Sequence, residues 1–169
     1  AVIGKGGRDI SASKADDYII GFMIMNDFSA RGLQMQEMKL NLGPAKGKDF
    51  GSSFGPWLVT KDELEPYKKT SAEGDRYDLI MKAFVNEIQL SQDSLSNMTW
   101  TFAQIIERVS YGVDIYPGDI IGSGTCGTGC FLELNGSKIT DDQWLNPGDT
   151  VTLEIEGLGI LANKIILNG

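Results

Sequence analysis

A chain of 169 residues, 41% hydrophobic and 22% charged, has the balance of one soluble globular domain large enough to bury its own core. Its 15 Lys and Arg against 23 Asp and Glu leave a net charge of −8, which argues against nucleic acid or an anionic membrane as a partner. Two cysteines are too few for a secreted disulfide scaffold and point to a reducing cytoplasm, while 21 glycines favour many turns and short strands over a helical bundle.

In chain order, Ala1-Val2-Ile3-Gly4 reads as the second half of a strand, and without an initiator Met the chain is expected to lack sequence upstream. Gly4-Lys5-Gly6-Gly7 reads as a hairpin turn; it lacks the second Gly-Lys-Ser/Thr of a phosphate loop. Ser13 suits the N-cap of a short helix over Lys14 to Tyr18. Ile19 to Asn26 follows as a buried strand, and the apolar run from Tyr18 to Met25 is too short to span a bilayer. Ser29 to Met38 is weakly helical, with Leu33, Gln36 and Glu37 at helical spacing. Gly43-Pro44-Ala45-Lys46-Gly47-Lys48 reads as a loop and Pro56 to Thr60 as a short strand. Leu79 to Val85 alternates, Asn86-Glu87 turns, and Ile88 to Leu90 returns as a hairpin.

The clearest helix spans Thr99 to Tyr111, where Phe102, Ile105, Ile106 and Val109 share a face and Gly112 supplies the stop. Pro117-Gly118-Asp119 and Pro147-Gly148-Asp149 are turns feeding apolar strands, Ile120-Ile121 and Val151 to Ile155. Gly157-Leu158-Gly159 turns the last pair of strands. With no signal peptide, repeat or linker, residues 1–169 read as a single mainly β (α+β) domain with one main helix, in the pattern of a curled sheet or sandwich.

Several segments carry chemical types worth weighing. Gly122-Ser123-Gly124-Thr125-Cys126-Gly127 fits G-x-G-x-x-G, but the alternating Cys130-Phe131-Leu132-Glu133-Leu134 after it predicts a strand where a dinucleotide site needs a helix. Cys126 and Cys130, with no histidine in the chain, are too few for a thiolate metal site and read as space-filling thiols. Asp27 ends an apolar strand, where a carboxylate either caps the next turn through Ser29 or the backbone, or is paired or metal-bound. Glu133, between Leu132 and Leu134, points away from two core positions, toward a site or plain solvent. Lys48 in its glycine-flanked loop is a ligand-approaching cation or an ordinary surface lysine.

Taken together these segments occur in a telling order: Asn26-Asp27-Phe28-Ser29-Ala30-Arg31 with Gln34, Gly47-Lys48-Asp49-Phe50, Gly55-Pro56-Trp57-Leu58-Val59-Thr60, Gly124-Thr125 with Leu132-Glu133-Leu134, and Pro147-Gly148-Asp149 with the Gly-Leu-Gly turn. This order resembles the C-terminal catalytic domain of the fumarylacetoacetate hydrolase superfamily across essentially the whole chain. The resemblance implies a mixed β-roll or sandwich fold and a metal-dependent hydrolase that cleaves a carbon–carbon bond in a fumarylacetoacetate- or acylpyruvate-like diketo acid. The same superfamily holds lyases, hydratases, isomerases and decarboxylases of 2-oxo acids or sugar acids, which differ in the acid/base group. By resemblance, Asp27 is a ligand of Mg²⁺ (or Ca²⁺ or Mn²⁺), a hard cation suited to carboxylate oxygens. Lys48 stabilises oxyanion charge beside Gln34, Thr125 holds a substrate carboxylate, Arg31 belongs to the substrate-binding motif, and Glu133 activates water with a histidine. The family's glutamate pair and histidine lie upstream and are absent from this chain. A homodimer acting on a small anionic substrate in the cytoplasm is the implied setting. A non-enzymatic β-rich binding domain, with Asp27, Lys48, Thr125 and Glu133 scattered over the surface, is the competing expectation.

Overall fold

The computed structural model describes residues 1–167. The chain runs β1 (Val2–Ile3), α1 (Ala12–Ala15), β2 (Ile19–Asp27), α2 (Arg31–Glu37), α3 (Lys46–Asp49), β3 (Ser52–Thr60), β4 (Lys68–Ser71), β5 (Gly74–Tyr77), β6 (Ile80–Val85), β7 (Ile88–Ser94), α4 (Phe102–Ser110), α5 (Phe131–Gly136), β8 (Thr150–Ile155) and β9 (Gly159–Lys164), with short 3-10 turns between. The strands form antiparallel sheets ordered β1-β2-β3, β4-β5 and β7-β6-β8-β9. The predicted mainly β fold with one main helix and short ones is what the chain adopts. No helix among the described residues is long and apolar enough to cross a membrane.

Strand β2 is the spine, and it leads to Asp27. Ile19, Phe22 and Ile24 are buried, Met25 and Asn26 are half-buried, and the exposed Asp27 ends the strand. At Gly21 an added Cβ would stand 2.2 Å from the Val59 carbonyl oxygen, so only glycine lets β2 and β3 approach this closely. Strand β3 starts at Ser52, earlier than the predicted Pro56, because Ser52 to Gly55 pair with Asp27 back to Ile24. The register then jumps from Ile24↔Gly55 to Phe22↔Val59, bulging β3 around Pro56, which has no N–H for the ladder.

The core gathers Ile3, Ile24, Leu64, Leu79 and Ile106, all essentially inaccessible. Phe22 packs on Tyr77 edge-on with centroids 4.8 Å apart and on Phe102 at 5.4 Å, so α4, β2 and β5 share one apolar contact. Helix α4 keeps close to its expected span. Thr101 caps it, and Gln104 returns a hydrogen bond to complete a capping box; Gly112, with φ +71°, follows its end. The buried face is Phe102, Ala103, Ile106 and Ser110, rotated from the predicted one, since Val109 is 42% exposed.

Other expectations need correcting. Helix α1 starts after Ser11 rather than Ser13, and Ser11 makes no side-chain capping hydrogen bond. Gly4-Lys5-Gly6-Gly7 is not a hairpin turn, because Gly7 exchanges backbone hydrogen bonds with Ile115 instead. Lys46–Asp49 forms a helical turn where a loop was expected. The Asn86-Glu87 turn, both residues at positive φ, makes the predicted hairpin, but β7 runs on to Ser94. The polar hairpin β4–β5 offered no apolar alternation to predict it. Ile120 makes a single bridge to Val2 rather than a strand. Cys130 to Leu134 is not a strand: the Cys130 carbonyl accepts from the N–H groups of Glu133 and Leu134, opening α5. Phe131 and Leu134 satisfy i, i+3 as readily as Leu132 and Leu134 satisfy alternation, and Leu134 is the residue buried. A helix rather than a strand therefore follows the glycine-rich segment, but the parallel strand–helix unit of a dinucleotide fold is not formed among the described residues: every sheet pairing is antiparallel and α5 follows no strand.

Candidate active site

The faces of β2 and of β6–β8 line an open cavity of about 540 Å³, bordered by the 120–130 segment and by Phe131 and Leu134 of α5. Much of its wall is apolar, with Phe22, Met25, Met81, Phe84 and Leu153 among its side chains. Asp27, Ser29, Arg31, Lys82 and Thr125 supply polar groups to the same lining. Three of the sequence-predicted residues, Asp27, Arg31 and Thr125, therefore converge on one space.

Two more stand directly behind them. Lys48, on α3, places Nζ 2.7 Å from Asp27 Oδ2 and donates to Ser29 Oγ at 2.6 Å. Ser29 in turn donates to the Asp27 carbonyl at 3.2 Å, so the turn after β2 is closed around the ammonium. Arg31 Nη1 donates to Gln34 Oε1 at 2.7 Å, one helical turn along α2, which restrains the guanidinium. Glu133 is not brought in. It is exposed on α5 and is not among the cavity's lining residues.

Sequence reasoning passed over several residues that shape this site. Lys82 lines the cavity and is paired with Glu154 at 3.2 Å, giving the walls two cations, Arg31 and Lys82, against the single carboxylate of Asp27. Ser91 and Asp93 of β7 hold the glycine-rich segment that carries Thr125. Asp93 Oδ2 accepts from the Gly127 N–H at 3.2 Å, and Ser91 Oγ lies 3.1 Å from Thr128 Oγ1. The only sequence signal for either was that β7 would have to run past Leu90. Cys126 and Cys130 are free and line the cavity, consistent with small side chains filling space. Burial pushes the Cys126 thiol up, opposed by a hydrogen bond with Ser91 and reinforced by nearby negative charge including Glu133.

A divalent cation of the kind expected needs several oxygen ligands. Asp27 is the one carboxylate lining the cavity, its Oδ2 already faces Lys48, and no three His, Cys, Asp or Glu side chains among the described residues cluster to hold a metal. The residues present do not make up a complete cation site.

Residues 1–166 match the family model described as "Fumarylacetoacetate (FAA) hydrolase C-terminal". The chain is 32% identical to the fumarylacetoacetase of Arabidopsis thaliana over 90% of its own length and 44% of that protein. It is 34% identical to the mitochondrial oxaloacetate tautomerase Fahd2a of Rattus norvegicus over 98% of its length and 48% of that protein. It thus spans about half the length of the curated relatives it matches. Among solved structures it is similar to a fumarylpyruvate hydrolase from Pseudomonas aeruginosa in complex with Mn²⁺ and pyruvate, at 23% identity and a TM-score of 0.78, covering 99% of this chain and 63% of that one.

Proposed function

From a chain that belongs to the fumarylacetoacetate hydrolase family, we propose an enzyme of that family acting on a small anionic 2-oxo or diketo acid, and specifically a hydrolase that cleaves the carbon–carbon bond of an acylpyruvate- or fumarylacetoacetate-like substrate. One observation carries the reading: the Lys48 ammonium is held 2.7 Å from Asp27 and 2.6 Å from Ser29, beside a cavity lined by Arg31 and Thr125.

In this reading Arg31 and Thr125 hold the substrate carboxylate, and Gln34 keeps the guanidinium oriented through its hydrogen bond. Glu133, which lies outside the cavity lining, would have to turn inward to take a proton from water, whose oxygen bonds to the acyl carbonyl carbon. The carbon–carbon bond then breaks and its electron pair passes to the pyruvyl part as an enolate. Lys48 stabilises that oxygen's charge. The enolate carbon recovers the proton, releasing a carboxylic acid and a 2-oxo acid. Asp27 is the one cavity carboxylate available to a Mg²⁺, Ca²⁺ or Mn²⁺ ion; the steps above use protein groups alone. A homodimer belongs to the same proposal, supported by exposed apolar side chains such as Leu40, Leu42 and Trp57.

The exposed position of Glu133 on α5, outside the cavity lining, favours a second reading. The same pocket without a base for water would enolise a 2-oxo acid, as a tautomerase or isomerase. Parallel assays on acetylpyruvate (pyruvate release) and on oxaloacetate (keto–enol exchange) separate the two. Pyruvate release that disappears in Lys48→Met supports the hydrolase. Tautomer exchange alone supports the second reading, and activity untouched in both Lys48→Met and Asp27→Ala overturns the site.

A further inference from the structure

Helix α3 is only four residues long and carries Lys48, yet a turn this short does not hold itself together in water. Its N-cap, Ala45, supplies no side-chain acceptor, and the first N–H groups of a helix have no partner within it. A carboxylate from the preceding helix fills that need. Glu37 Oε2 accepts from the N–H groups of Ala45 at 3.1 Å and Gly47 at 3.0 Å, and Oε1 accepts from Lys46 at 2.9 Å.

The clamp sits in a wider dock between α2 and α3. The Ala30 N–H donates to the Gly47 carbonyl at 2.9 Å, and a Cβ added at Gly47 would stand 2.8 Å from the Gln34 nitrogen. The next residue, Lys48, emerges aimed at Asp27 and Ser29. Glu37 itself lies outside the cavity lining. The hydrogen bond from Gly47 foremost, against some burial and with help from Ala45 and Lys46, holds the Glu37 carboxyl below the usual carboxylate range, so the clamp is charged at neutral pH.

We infer that Glu37 is a positioning residue: by gathering the N–H groups of Ala45, Lys46 and Gly47 it fixes the α3 turn and so sets where the Lys48 ammonium sits. Its catalytic consequence rests on the reading of Lys48 given above. A neutral amide does not replace it fully, because an amide nitrogen accepts nothing and at least the bond to one of the two carboxylate oxygens is lost.

The test compares wild type with Glu37→Ala and Glu37→Gln in the full protein by two readouts. The first is acetylation of Lys48 by an N-hydroxysuccinimide ester, measured by mass spectrometry relative to Lys39. Release of the turn raises the Lys48 rate by about tenfold in Glu37→Ala, as expected for the loss of a charge-assisted clamp, with Glu37→Gln between. The second is turnover of acetylpyruvate, where kcat falls by about 10²-fold with KM little changed, the pattern of a displaced reacting group. An unchanged Lys48 labelling ratio in either variant, with an unchanged melting curve, overturns the inference. Raised labelling with unchanged turnover leaves the positioning role standing and removes the catalytic reading of Lys48 instead. Loss of turnover in Lys48→Met, with neither readout moved in the Glu37 variants, does the reverse.

Discussion

Lys48 Nζ lies 2.7 Å from Asp27 Oδ2, although one residue stands on a four-residue helical turn and the other ends the central strand. Their side chains are 23% and 41% exposed, so solvent screens the pair and its worth to folding is small. Its value is positional: it puts a cation beside the cavity that Arg31 and Thr125 also line.

Replacement of Lys48 by Met is therefore expected to cost at most about 1 kcal/mol of stability. Turnover should fall by roughly 10²–10³-fold, the usual cost of removing one stabiliser of developing negative charge. Differential scanning calorimetry alongside acetylpyruvate kinetics checks both halves. A large loss of stability, or no loss of rate, contradicts this account of the residue.

Asp93 tethers the segment bearing Thr125 through the Gly127 N–H, and is itself fixed by Asn97 Nδ2 at 2.7 Å and the Ser94 N–H at 2.8 Å. Asp93→Ala should loosen Thr125 and raise KM by about tenfold, equivalent to ~1.4 kcal/mol of ground-state binding. Steady-state kinetics would show kcat little altered; an unchanged KM means the tether does not reach the substrate.

Gly21→Ala inserts a methyl group where the Val59 carbonyl oxygen leaves 2.2 Å. Backbone on both sides cannot move aside cheaply, so the loss of stability is expected at about 3 kcal/mol, the upper end of overpacking costs. Urea denaturation monitored by tryptophan fluorescence measures it.

Asp78 titrates at about 2 in the folded chain, held down first by the Lys69 ammonium at 2.5 Å and then by Ser94 at 2.8 Å and Ser96 at 3.0 Å. An unfolded aspartate titrates near ~3.9. The sign is that of a depressed carboxylate: the stabilisation is complete above the unfolded value and is lost as pH falls toward the folded one. Thermal melts of wild type and Asp78→Asn should differ at pH 5 and converge near pH 2. A gap that persists at pH 2 would show that shape rather than charge is responsible.

With one cavity carboxylate and no metal-holding cluster among the described residues, the chain should bind Mn²⁺ with a Kd of about 10⁻³ M or weaker, below the affinity of sites that assemble several oxygen ligands. Isothermal titration calorimetry gives the value directly. Micromolar binding abolished by Asp27→Ala would mean that further ligands are being recruited from within this chain.

Much of this was written in local patterns. Leu79 to Val85 with Asn86-Glu87 specified a hairpin, because alternation and a turn at positive φ act within a few residues. The apolar spacing of Phe102, Ile105 and Ile106 with the stop at Gly112 marked α4, while the capping box of Thr101 and Gln104 that sets its start came from the structure. The segment from Asn26 to Arg31 indicated the family, and Asp27, Arg31 and Thr125 do share a cavity. What the tertiary structure alone decided are the relationships that no local period encodes. Phe131 to Leu134 fits a strand or a helix equally well, and it folded as a helix, leaving Glu133 exposed outside the cavity lining. Glu37 stood out only by its helical spacing from Leu33, since its partners are backbone N–H groups that carry no residue identity. The meeting of Lys48 with Asp27 depended on how α3 docks against α2, a matter of surfaces in contact rather than of spacing along the chain.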